Sequence, residues 1–113
     1  MKVANKDGLT IVTLEDQRIL DEISIAKIGQ DINALIQEQI NPRLVIDFSH
    51  VTNMSSSALG MLITLHKRVR EKMGNLVLCN IQPSIEEIFK ITRLNEIFTI
   101  SEDLDRACQI AEF

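Results

Sequence analysis

Ser55, Ser56 and Ser57 put three hydroxyls in a row, between the polar stretch Ser49-His50-Val51-Thr52-Asn53-Met54 and an apolar-periodic segment that begins at Ala58. That position predicts a helix start. A helix N-terminus carries free backbone N–H groups and the positive end of the helix dipole, so a hydroxyl there can cap the helix or, once esterified, hold a phosphate. One hydroxyl satisfies the cap, and two more are left without a structural duty. A nucleophilic serine would need a base, and His50 and His66 are the two histidines available. The strained Gly-x-Ser-x-Gly elbow is missing, however, and His66 falls on the apolar stripe of the following helix, which reads as packing. Asp21 and Asp47 each end an apolar piece, where α/β folds gather their ligands, although such carboxylates are more often solvated turn residues. Cys79 and Cys108 lie far apart without metal-ligand spacing, so no metal site or disulfide is expected and both read as small buried residues. Gly8, Gly29, Gly60 and Gly74 are scattered and form no phosphate-binding or dinucleotide fingerprint.

Delivering these groups to one place requires regular elements around them. Residues 9–14, Leu-Thr-Ile-Val-Thr-Leu, are rich in β-branched side chains and follow the turn pair Asp7-Gly8, which predicts a strand; residues 1–4 either pair with it or fray. Residues 18–20 form a second short apolar piece, read as a strand. From Ser24, a plausible cap by type, Ile25, Ile28, Ile32, Leu35 and Ile36 share one helical face, and Asn41-Pro42 stops the helix. Residues 44–48, interrupted only by Asp47, read as a central strand covered on both faces. After the serines, Leu59, Leu62, Ile63, His66, Val69 and Met73 make a helical stripe, basic residues crowd the helix end, and Gly74 is placed as the stop. Residues 76–79 give another buried strand. Pro83 opens a short helix with Ile85, Ile88 and Phe89 inward, and residues 97–100 form a last strand. Ser101 then caps a final helix with Glu102 and Asp103 in its first turn and Leu104, Ala107, Cys108 and Ala111 inward. The alternation predicts an α/β domain with a mixed sheet of four to five strands and about four helices. Its parallel strands are joined by crossovers, with an antiparallel pair at the start.

The 113 residues, 45% hydrophobic, suit one domain spanning 1–113 with a single small core. Twelve basic against sixteen acidic residues give a net charge of −4, and no dense basic run stands out, which argues against direct nucleic-acid binding. No stretch has the pattern of a leader peptide or the length of a membrane span, so a cytoplasmic protein without membrane insertion is expected. Trp and Tyr are absent, so a partner surface must be built mostly from aliphatic and polar groups.

Residues 44–100 closely resemble the STAS domain family, in particular bacterial anti-sigma factor antagonists. The family's pattern is a hydrophobic strand ending Asp-hydrophobic-Ser, a short loop, Met-Asp-Ser-Ser-Gly-Leu-Gly opening a helix, and later a Pro-led helix. Asp47, Phe48 and Ser49, then Met54, Ser56, Ser57, Leu59 and Gly60, and Pro83 match it, and Leu20-Asp21 matches the end of an earlier Gly-Glu-Leu-Asp loop. The sequence departs from the pattern at Ser55, Ala58, Arg18-Ile19 and Arg93, where the family has Asp, Gly, Gly-Glu and Gly. The resemblance implies a non-enzymatic regulator without cofactor. Its unmodified form binds an anti-sigma factor that is also a serine kinase, and phosphorylation releases it until a serine phosphatase resets the cycle. Ser56 matches the phosphorylated serine, with Ser55 as second candidate; Asp21, Ser55, Ser57, Ala58 and Met61 are the expected partner-binding positions. A homodimer or larger STAS assembly stays open, as does the alternative of a non-phosphorylated STAS scaffold in a stress-signalling or lipid-transport complex.

Overall fold

In the computed structural model, which describes residues 1–112, the apolar runs become a five-stranded mixed sheet with helices on both faces. The elements are β1 (Lys2–Lys6), β2 (Leu9–Thr13), β3 (Arg18–Ile19), α1 (Glu22–Ile36), β4 (Arg43–Asp47), β5 (Asn53–Met54), α2 (Ser56–Glu71), β6 (Asn75–Cys79), α3 (Pro83–Ile91), a 3-10 turn (Leu94–Glu96), β7 (Thr99–Ser101) and α4 (Leu104–Ala111). The sheet order is β1-β2-β4-β6-β7, with β1 antiparallel to β2 and every other pair parallel. Asp7 and Gly8, both at positive φ (51° and 83°), make the tight turn between β1 and β2 that a two-residue hairpin requires.

The period-two alternation of the central strands divides their side chains between two layers. Val12, Leu44, Ile46, Leu76 and Leu78 join Ile25, Ile28, Ile32, Leu62, Leu65, Ile85 and Phe89 in the larger core under α1, α2 and α3. Leu9, Val45, Val77 and Cys79 face the other way and pack with Ala107 and Ala111 of α4. Each large aliphatic side chain removed from water in this way contributes about 1.5–3 kcal/mol.

Several local expectations change. Arg18–Ile19 is a strand, but it pairs in parallel with β5, inside the stretch read as a loop, and the two form a separate small ribbon. The cap of α1 is Asp21, not Ser24: its carboxylate accepts from the backbone N–H of Ile23 at 3.0 Å and of Ser24 at 3.3 Å, and the Ser24 hydroxyl donates to it as well. The helix ends at Ile36, before Asn41-Pro42. On α2 the buried arc is Ala58, Leu59, Leu62, Leu65 and Val69, while Ile63 and Met73 are exposed, because the helix leans on α1 as well as on the sheet. Met73 itself takes the left-handed position after α2 (φ 59°), and Gly74 is needed for another reason: a Cβ there would lie 2.1 Å from the Pro42 carbonyl oxygen. The last strand begins at Thr99. Asp103, accepting from the Arg106 N–H at 2.8 Å, caps α4 in place of Ser101, which ends β7 and is buried.

Candidate functional site

The ribbon of β3 and β5 is what gathers the site. Its register sets Arg18 against Asn53 and Ile19 against Met54. The carbonyl of Gln17 accepts from the N–H groups of Thr52 (2.8 Å) and Asn53 (3.1 Å), and that of Ile19 accepts from Ser55 (3.1 Å). Each strand runs directly into a helix, β3 through Leu20-Asp21 into α1 and β5 through Ser55 into α2. The helices then travel side by side in the same direction. Gly29 faces Met61, the Arg68 guanidinium donates to Asn33 Oδ1 at 2.9 Å, and Lys72 Nζ donates to the Gln37 carbonyl at 2.6 Å. Two N-termini, capped by Asp21 and Ser55, therefore start together at one end of the ribbon, with their dipoles aligned.

The three serines differ in what their oxygens do. Ser55, at φ −85° and ψ 168°, is the cap, and its Oγ accepts from the Ala58 N–H at 3.2 Å. Ser56 is the first residue of α2, exposed, and its hydroxyl has no hydrogen-bond partner among the described residues; Ser57 follows, also exposed. The first turn of α2 contains no acidic residue. Asp21 is exposed and its carboxyl is held below the usual carboxylate range by the Ser24 hydroxyl, with smaller help from the backbone N–H groups of Ile23 and Ser24 against a desolvation cost. Met61 is half-buried on the α1 side of α2. Ala58 is a correction: it is 0% exposed, pointing into the core from the first turn of α2, so its methyl does not face a partner.

The loop carrying the serines is fastened from below by Asp47 and by three residues that the sequence pattern does not single out, Asn80, Gln82 and Ser84. Asp47, expected as a solvated turn residue, is buried, and its Oδ1 accepts from the Ser49 N–H (2.9 Å) and from Asn80 Nδ2 (3.1 Å), joining the loops that leave β4 and β6. Gln82 Nε2 donates to the Ser49 carbonyl at 2.7 Å and the Ser84 hydroxyl donates to the Thr52 carbonyl at 3.1 Å, which ties the same loop to α3. Asn80 sits at φ 55°, a conformation Asn tolerates better than most residues and the one local sign of its role.

No histidine serves the serines. His66 lies ten residues along α2 from Ser56, about 15 Å down the axis. Its ring meets Phe98 edge-on at 5.2 Å, and its Nδ1 is enclosed without a partner among the described residues. Burial, with the nearby Arg70 charge adding, holds its pKa below the ordinary imidazole value. His50 is exposed in the turn after β4. Cys79 and Cys108 are free thiols, and burial first, then the Asp47 carboxylate, pushes Cys79 up to about 12. No group of three metal-ligating side chains occurs among the described residues.

The model of the STAS domain matches residues 1–107. The chain belongs to the STAS domain family. It is 26% identical over 101 residues to the Bordetella bronchiseptica protein BtrV, named as a candidate anti-sigma factor antagonist, covering 89% of this chain and 84% of that one. Its fold matches an anti-sigma-factor antagonist (STAS) domain protein from Planctomyces limnophilus with a TM-score of 0.86 at 22% identity, over 97% of this chain and 95% of the other. The Bacillus cell fate determinant SpoIIAA in its phosphorylated form also superposes, with a TM-score of 0.72 at 14% identity, over 96% and 97% of the two chains. In this STAS domain the three serines stand at the start of α2, and Asp47 braces the loop that leads to them. No helix among the described residues is long and apolar enough to cross a membrane.

Proposed function

We propose that this STAS domain is an anti-sigma factor antagonist that works as a phosphorylation-controlled partner switch. Unmodified, it binds an anti-sigma factor that is also a serine kinase; phosphorylated on Ser56, it lets that partner go; a serine phosphatase resets it. The observation that carries the reading is the division of labour among the serines. Ser55 is committed to the cap, whereas the adjacent Ser56 hydroxyl is exposed at the first helical position and has no partner among the described residues. A phosphate there adds close to two negative charges beside two aligned helix N-termini, where dipoles and free N–H groups accept it without unfolding the helix. At a docked surface the same charge must be desolvated and repels acidic groups, so binding is lost while the fold is kept. Asp21, Ser57 and Met61 flank the serine and form the contact surface of this reading, in which the chain is a kinase substrate and binder without turnover of its own.

The test is incubation with ATP and the cognate kinase, with intact mass read for wild type and for Ser55→Ala, Ser56→Ala and Ser57→Ala. Loss of the added phosphate only in Ser56→Ala, and loss of kinase binding in Ser56→Glu, is the expected pattern. Undiminished phosphate on Ser56→Ala would sink the assignment.

A further inference from the structure

Strand β7 is shorter than its neighbour. Its first residue, Thr99, pairs with Val77, so Asn75 and Leu76 at the start of β6 run on past the edge of the sheet. The notch left beside them is a pocket of about 200 Å³ between the second half of α2 and the end of α4. Four polar side chains line it, His66 and Arg70 from α2, Asn75 from β6 and Thr99 from β7, with Leu76 and Ile110 as apolar wall. None of the four has a hydrogen-bond or ion-pair partner among the described residues. No carboxylate lines the pocket, although acidic residues outnumber basic ones by 16 to 12 in the chain. The His66 ring lies with Nδ1 enclosed and Nε2 on the solvent side. A buried N–H without an acceptor is rarer than a buried lone pair, so the neutral ring is assigned its proton on Nε2. The backbone adds to this: the Asn75 N–H donates to the Pro42 carbonyl at 2.8 Å on the β4 side, and strand alternation aims the next N–H, that of Leu76, at the notch.

One guanidinium with its fork of donors, an imidazole N–H, an amide and a hydroxyl thus converge on one small space, beside an apolar wall and with no competing carboxylate. We propose that this notch is a binding site for a small organic oxyanion, a carboxylate or a phosphate ester, whose charged head sits against Arg70 and whose short apolar part lies on Leu76 and Ile110. The volume is under the roughly 300–1,000 Å³ of drug-sized ligand sites, which limits the occupant to a molecule of a few heavy atoms beyond its head. The negative end of the α2 dipole opposes an anion here and offsets part of the Arg70 attraction, so half-saturation is expected on the order of 1 mM. The burial and the Arg70 charge that hold His66 neutral are countered when an anion enters, so occupancy raises the His66 pKa. The notch lies toward the opposite end of α2 from Ser56 and does not depend on the serine switch.

Nuclear magnetic resonance titration of the ¹⁵N-labelled chain tests it, with sulfate as a tetrahedral head of constant charge and butyrate as a carboxylate with an apolar tail. Each is added to about 20 mM, well above the expected half-saturation, with sodium chloride holding the ionic strength fixed. The expected result is saturable shifts in the amides of residues 74–77 and 99 and in the His66 ring, with residues 55–58 unmoved. A response to sulfate alone assigns a tetrahedral head, to butyrate alone a carboxylate, and to both a site that reads charge before shape. Arg70→Gln should weaken binding by about tenfold, Arg70→Lys by less, and Thr99→Val by about threefold. The His66 pKa, followed by its ring proton shifts, should rise at saturation in the wild type and rise less in Arg70→Gln. Arg70 and Thr99 are exposed, so these variants keep the fold, and their amide spectra report it. Linear, non-saturating shifts with both anions, undiminished affinity in Arg70→Gln, or a His66 pKa that saturation does not move overturns the proposal.

Discussion

The backbone N–H of Ser55 donates to the carbonyl of Ile19 at 3.1 Å, so the residue that caps α2 is hung from the strand that leads into α1. Together with the two bonds that the Gln17 carbonyl accepts from Thr52 and Asn53, it sets the two helix N-termini, and with them Asp21 and the serines, at the same end of the β3–β5 ribbon.

The cap and the proposed switch should separate by mutation. Ser55→Ala removes the acceptor of the Ala58 N–H and is expected to cost about 1 kcal/mol in urea unfolding, while Ser56→Ala changes stability by less than about 0.5 kcal/mol. Ser55→Asp, which keeps a capping oxygen, should stay near wild type. Equal losses for Ser55→Ala and Ser56→Ala would contradict the assignment of the cap.

Asp47 is expected to act on the serine loop from a distance. Asp47→Ala leaves the Ser49 N–H and the Asn80 amide without their acceptor and should cost about 1–3 kcal/mol, with faster amide exchange in residues 49–54. Asp47→Asn retains an acceptor oxygen and should lose less. Unchanged exchange in that loop in Asp47→Ala would show that the brace is not what holds it.

Two glycines give opposite forecasts. An alanine at Gly60 meets nothing within 4 Å in an exposed helix interior and should stabilise by about 0.5–1 kcal/mol. An alanine at Gly74 meets the backbone of Pro42 at 2.1 Å, so the two loops entering β4 and β6 must shift, at an expected cost of about 2 kcal/mol or more. Thermal melts of the two variants check both signs at once.

His66 makes stability depend on mildly acidic pH. Its native pKa is depressed by burial, so as pH falls through the unfolded value, about 6.5, the unfolded chain takes up a proton that the folded chain does not. Stability is then lost progressively down to the depressed native pKa and is unaffected by this group above neutrality. Urea midpoints at pH 7.5 and 5.5 should fall further apart in wild type than in His66→Leu. An equal fall in both would remove His66 as the cause.

Thiol labelling follows burial. With its pKa at about 12 and its side chain sealed in the α4 layer, Cys79 should resist iodoacetamide in the folded protein, whereas half-buried Cys108 labels first. Mass spectrometry of digests before and after unfolding reads the order directly.

The residues alone determined the alternation of strands and helices, the helix opening at the serines and the family they mark, because period two and period 3.6 are local properties that survive in a single chain. Which serine caps, however, depends on where Ile19 hangs Ser55, and that contact joins strands of two residues each, too short to show any period. The burial of Ala58 and the exposure of Ile63 follow from α2 leaning on α1, a packing choice between separate elements. Gly74 reads as a helix stop, yet its necessity comes from Pro42, far away in sequence, pressing against it. Asn80, Gln82 and Ser84 support the site through hydrogen bonds whose partners lie in other loops, and only the assembled sheet brings those loops together.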